Sequence, residues 1–98
     1  MDKTITATMK PELIEKEAIP TLNFKTQVHV EQSPDLMNRL HEATKLGNLH
    51  QGKIAIIFQS DEGLKRVETT IWATGAKYIC LKGGVWLPIS RITEIRFL

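Results

Sequence analysis

A mainly β fold with a single helix is what this sequence predicts: a small five-stranded antiparallel barrel preceded by an α-helix and an extra N-terminal strand. Three observations point there. Residues 52–98, GKIAIIFQSDEGLKRVETTIWATGAKYICLKGGVWLPISRITEIRFL, break into five short runs rich in β-branched and aromatic residues, separated by Gly- and Pro-containing turns. Residues 34–46 repeat their apolar positions at helical spacing. Residues 22–31 alternate apolar and polar side chains, the period of a half-buried strand.

The elements follow in chain order. Residues 1–21 read as an N-terminal arm, in which Pro11 opens a single helical turn over 12–17 and Pro20 ends it. Its apolar residues Ile5, Met9, Leu13, Ile14 and Ile19 are too many for a solvated tail, and are expected to dock on the barrel or on a second subunit. The rest, 22–98, is expected to form one small-barrel domain made of strand 22–31, helix 34–46 and barrel 52–98. In LNFKTQVHVE, Leu22, Phe24, Thr26, Val28 and Val30 share one side. A strand outside the five-strand set needs a sheet edge, its own or a neighbour's.

Ser33 suits an N-cap, Pro34 the first helical position, and Asp35 the positive end of the helix dipole. Leu36, Met37, Leu40, Ala43 and Leu46 make the apolar stripe, and Gly47 followed by Asn48 is the expected stop. The five barrel strands are then 53–60, 64–73, 77–82, 85–89 and 92–97. The turn at 74–76 has two readings. As a three-residue turn it sets Ile71 opposite Ile79 and Trp72 opposite Tyr78, both aromatics outward. As a two-residue turn it buries Tyr78 and Cys80, because one residue of slip exchanges the two faces. Facing aliphatic residues favour the first; a two-residue Gly83-Gly84 turn favours the second.

Composition narrows the function classes. The chain has 98 residues, 42% hydrophobic and 24% charged, with a formal net charge of +2. Residues 1–49 carry six Lys or Arg against seven Asp or Glu, and residues 50–98 carry seven against four. That is mildly basic, short of a dedicated nucleic-acid protein. No apolar run reaches the ~18 residues of a membrane span, and the N-terminus lacks the apolar core of a secretory signal. A single cysteine, Cys80, leaves no internal disulfide, so a reduced, cytoplasmic setting is expected. Cys80 lies mid-strand and reads as a buried, inert thiol. His41 and His50 stand alone, so no metal site is expected. Gly83-Gly84 lacks the Lys-Ser/Thr and the helix of a phosphate loop, and no cofactor is expected. With no convergent catalytic group, the chain reads as non-enzymatic.

Two binding readings remain. In the first, the protein is an interaction or self-assembly module. A homodimer is favoured, because strand 22–31 and the apolar arm can add to a neighbour's exposed edge. In the second, Lys65, Arg66, Lys77, Lys82, Arg91 and Arg96 lie among Trp72, Tyr78 and Trp86. Such a set is what single-stranded RNA or DNA binding requires, since bases stack on aromatic faces and phosphates pair with cations.

A helix leading directly into five short strands, then a Gly-containing turn, an apolar-Pro-apolar strand and a closing Ile-x-x-Ile strand, resembles the Sm-like small barrels. The ending LPISRITEIRF is similar to the ends of WYL-type and Rof-type Sm-like domains, with Arg91-Ile92 matching the Arg-Ile of the WYL ending. The resemblance covers about 34–98. It implies a closed small barrel; it carries Arg91 alone as a matching ligand-contact position, since Trp72 and Tyr78 fall on different strands and no Trp-Tyr-Leu tripeptide is present. KGGVWLP lacks the full second motif of the RNA-binding ring formers. The stretch ETTIWAT…LKGG also resembles a set of short bacterial proteins, a likeness that brings no activity with it.

Overall fold

The computed structural model describes residues 10–98. Within them the chain is mainly β with one helix, seven strands forming two sheets. The strands are β1 (Glu12–Leu13), β2 (Ile54–Ser60), β3 (Gly63–Thr69), β4 (Ile71–Thr74), β5 (Tyr78–Leu81), β6 (Val85–Pro88) and β7 (Ile92–Phe97), and the helix α1 is Leu36–His50. The four-stranded sheet runs β1-β3-β2-β7 and the three-stranded sheet β4-β5-β6.

The predicted strand 64–73 is two strands. It breaks at Thr70, which is buried and belongs to neither sheet. The Thr70 carbonyl accepts the Lys82 amide at 2.9 Å, and its hydroxyl donates to the Gly52 carbonyl at 3.2 Å. Satisfied on both sides, this residue turns the chain from one sheet into the other. A 3₁₀ turn, Ile89–Arg91, makes the second crossing, from β6 to β7. The registers of the described residues run within each sheet and not between them.

The core lies between the sheets and under the helix. Ile54, Ile56 and Phe58 of β2, Val67 of β3, Ile79 and Leu81 of β5, Leu87 of β6, and Ile92 and Ile95 of β7 all turn inward. Ala55 and Ile57, on the opposite side of β2, are buried as well, so β2 is covered on both faces as its apolar alternation predicts. Leu36, Leu40 and Ala43 bring α1 onto this core, while Met37 stays exposed.

The helix differs from its expected limits for a packing reason. Gly47 is not its stop. It sits inside α1, where a Cβ would come within 2.5 Å of the Ile71 carbonyl oxygen. Glycine is there so that the helix can lie against the corner between the sheets. α1 continues to His50 and ends at Gln51, the only non-glycine described with positive φ, at 52°. At the other end Asp35, not Ser33, is the capping position, and Ser33 and Pro34 lie in the preceding turn.

The expected strand 22–31 is absent. The segment is irregular, and the amides of Lys25 and Thr26 are taken by a side chain instead of a sheet edge. The Asp61 carboxylate accepts the Lys25 amide at 2.9 Å and the Thr26 amide at 3.2 Å, while the Asp61 amide donates to the Asn23 carbonyl at 2.9 Å. Leu22 and Phe24 pack on the core, the Phe24 ring 6.1 Å from that of Phe58; further along, Thr26 and Val28 are exposed. Within the single chain, then, 22–31 forms no strand on a sheet edge.

In the arm, the helical turn expected over 12–17 lies later in the chain, with Pro20 inside it instead of ending it, and Glu12–Leu13 form a strand. β1 pairs parallel with β3, Glu12 opposite Lys65 and Leu13 opposite Arg66, and a 3₁₀ helix follows over Lys16–Thr21. Ile19 is buried and Ile14 packs against the same core, so the described part of the arm docks on its own chain, with Leu13 left exposed; Ile5 and Met9 lie outside the described residues.

Candidate interaction surface

The three-stranded sheet has one face in the core and one in solvent. Alternation along β5 sends Ile79 and Leu81 inward and Tyr78 and Cys80 outward. Along β6, Leu87 turns inward and Trp86 outward. The register sets Cys80 opposite Trp86 and Tyr78 opposite Pro88. Across β4 and β5, Ile71 faces Leu81, Ala73 faces Cys80 and Thr74 faces Ile79, with a bulge between Ile71 and Ala73. That bulge leaves Trp72 and Ala73 both exposed.

This register corrects both readings of the 74–76 turn. Tyr78 is outward, as the three-residue turn has it. Yet Ile71 pairs with Leu81 instead of Ile79, so Trp72 does not stand opposite Tyr78. The chain reverses over a longer loop, closed by the Gly75 amide donating to the Tyr78 carbonyl at 2.9 Å. The next turn has three residues, not two: Leu81 faces Val85, and Gly83 and Gly84 both have φ above 80°. Cys80 is half-buried on the outer face, not inside.

The outer face thus presents Trp72, Ala73, Tyr78, Cys80, Trp86 and Pro88. The three aromatic residues are 47%, 50% and 58% exposed. No acidic residue occurs between Thr69 and Thr93, while Lys77 and Lys82 flank β5 at its two ends, both exposed and without an ion pair among the described residues. At the Gly83 turn lies the aliphatic end of Lys16, whose ammonium pairs with Glu17 at 3.0 Å. Beside Tyr78 and Pro88 a groove of about 480 Å³ opens toward Met37, Ala76 and Ile89, its walls mainly apolar and Lys77 on its rim.

The other four cations singled out from sequence are engaged elsewhere. Lys65 is buried, its Nζ 2.5 Å from Glu12 Oε1, and it pins β1 to β3. Arg66 pairs with Glu68 at 3.0 Å and Arg96 with Glu94 at 2.9 Å, both on the four-stranded sheet. Arg91 is buried and donates to the carbonyls of Gln59 and Thr26 and to the Asp61 carboxylate, its guanidinium carbon 5.4 Å from the centre of the Phe24 ring. Partial burial pushes the Asp61 carboxyl up. The hydrogen bonds from Lys25, Thr26 and Arg91 outweigh that and hold it at about 2, below its usual 3.8.

Sequence reasoning missed Met37, Ala76, Pro88 and Ile89 as neighbours of Tyr78. Met37 belongs to the helix, and nothing in spacing alone joins it to a hairpin forty residues on. No group of three or more His, Cys, Asp or Glu gathers among the described residues, and none of their helices is long and apolar enough to cross a membrane. The chain matches no protein-family model, and neither a curated protein nor a solved structure is similar to it.

Proposed function

We propose that this protein is a non-enzymatic module that binds another protein through the outer face of its three-stranded sheet. One observation carries the reading: an uncharged face of six residues exposes two tryptophans and a tyrosine. Side chains of this kind supply a large share of binding energy when a partner covers them, and a soluble surface gains nothing by keeping them wet. The described polar groups that are most constrained, Asp61 and Arg91, are saturated by each other and by backbone, which leaves them a bracing role instead of a chemical one. We further infer a small barrel of the Sm-like kind. The strand order β7-β2-β3 passes through Thr70 into β4-β5-β6, an order supporting one folded-over sheet.

Single-stranded nucleic acid is the competing reading, favoured by the acid-free run from Thr69 to Thr93. It is the weaker one, because only Lys77 and Lys82 of the six expected cations stand free beside the aromatics, and affinity for phosphates scales with the number neutralised. Titrating the full chain with a random single-stranded RNA at low salt, with tryptophan fluorescence and light-scattering mass as readouts, separates the two. Unchanged emission and mass are expected. A salt-dependent quench with a gain in mass overturns the protein-binding reading.

A further inference from the structure

Resting on that reading, we propose that the partner presents an acidic segment with an apolar anchor: the anchor side chain enters the groove between Met37, Tyr78, Pro88 and Ile89, and neighbouring carboxylates pair with Lys77 and Lys82. The groove has the volume and lining of a site for one large aliphatic or aromatic side chain, and Tyr78 and Pro88 belong both to it and to the open face. A segment seated there passes from the pocket directly onto the aromatic row.

Charge sets the sign of that segment. The strands of the face carry no acidic residue, the Glu17 carboxylate near the Gly83 turn is paired with Lys16 at 3.0 Å, and each end of β5 offers an ammonium free of any ion pair among the described residues. Complementary charge at the rim of an apolar contact steers encounter and fixes orientation more than it adds affinity. The same distribution disfavours a second copy of this chain. A two-fold contact would set these strands, which carry no acidic residue, against themselves, lysines toward lysines. A nucleic acid would satisfy the lysines, but would leave the apolar groove without an apolar occupant.

The experiment is a selection of random peptides displayed on phage against the full chain, run in parallel on Tyr78→Ser/Trp86→Ser and on Lys77→Glu/Lys82→Glu. All four positions are exposed, and circular dichroism checks that each variant keeps its fold. The expected pool from the unaltered chain combines Asp or Glu with Leu, Phe or Trp. Its peptides lose about tenfold in affinity on the charge-reversed variant, and that variant selects Lys- and Arg-containing peptides instead. Peptides enriched through the aromatic face with no acidic bias, or with a bias that Lys77→Glu/Lys82→Glu leaves unchanged, overturn the acidic segment but keep the protein-binding face. Enrichment that Tyr78→Ser/Trp86→Ser does not touch overturns the face itself, as does a pool with no enrichment. A dimer mass abolished by Tyr78→Ser/Trp86→Ser assigns the face to a second copy, and tight, salt-dependent binding of oligothymidylate assigns it to nucleic acid; either overturns the proposal.

Discussion

Arg91 meets Asp61 at 3.1 Å, and between them they hold a segment that belongs to neither sheet. Arg91 takes the Thr26 carbonyl, while Asp61 takes the Thr26 amide, so the peptide groups flanking one residue are gripped from both sides. The loop from Leu22 onward is fastened here by an ion pair where the sequence pattern suggests a strand.

That grip has a pH dependence of definite sign. Asp61 titrates at about 2 in the folded chain against 3.8 for an unperturbed carboxyl. A depressed folded value means that its contribution to stability is complete above 3.8 and is lost as pH falls toward 2. The urea midpoint of the unaltered chain is expected to fall across that window. The Asp61→Asn variant starts lower and is flatter there; equal slopes for the two chains would refute the assignment.

Gly47→Ala tests the seat of the helix. The added methyl meets the Ile71 carbonyl oxygen and Thr70 Cγ2, both under 3 Å, and backbone cannot swing away as a flexible side chain can. The expected loss is about 1–3 kcal/mol by denaturant unfolding, despite alanine's better helix propensity. A gain in stability would mean that α1 is free to shift outward.

Phe58 is wholly buried in the middle of β2, next to the Phe24 ring. Phe58→Ala is expected to lose about 3–5 kcal/mol. Trp86→Ser, on the outer face, is expected to change stability by no more than about 0.5 kcal/mol. A large loss at Trp86 would show that the outer face is covered within the monomer.

Cys80 is opposite Trp86 and half-buried. Alkylation with a bulky maleimide is expected to leave the circular dichroism spectrum intact and to abolish binding of any peptide selected on this face. Cys80→Ser, which removes the reactive group and little volume, is expected to bind normally. Loss of binding in both would point to the thiol itself.

The class of fold and most element positions were legible in the residues. Strands 54–60 and 92–97 and the body of the helix follow from patterns that local physics nearly dictates: β-branched runs, alternation and an apolar stripe. Three features were not. The break at Thr70 carries no turn residue, because the bend is stabilised by partners at Lys82 and Gly52, distant in sequence. The alternation of residues 22–31 is genuine, yet Asp61 competes for its amides. Gly47 has the look of a helix stop and acts as a contact point, a distinction that needs the neighbour to be known.

The surface was legible in part. The outward orientation of Tyr78 follows from keeping Ile79 and Leu81 together inside. The bulge at Trp72 does not follow, since nothing in IWAT marks the extra residue. Nor does the pairing of Lys65, Arg66 and Arg96, each of which has its carboxylate within its own strand or on the strand beside it.

Thr70 marks the line along which the two sheets part. The two sheets share side chains and one continuous stretch of backbone there, but no ladder of amide bonds. A force or a ligand acting on the aromatic hairpins is therefore transmitted to the rest of the protein through the packed core and through two backbone crossings, this residue and the 3₁₀ turn ending at Arg91. Amide exchange in β4, β5 and β6 should then rise and fall together, as one leaf of the structure, while β2 keeps its own slower clock.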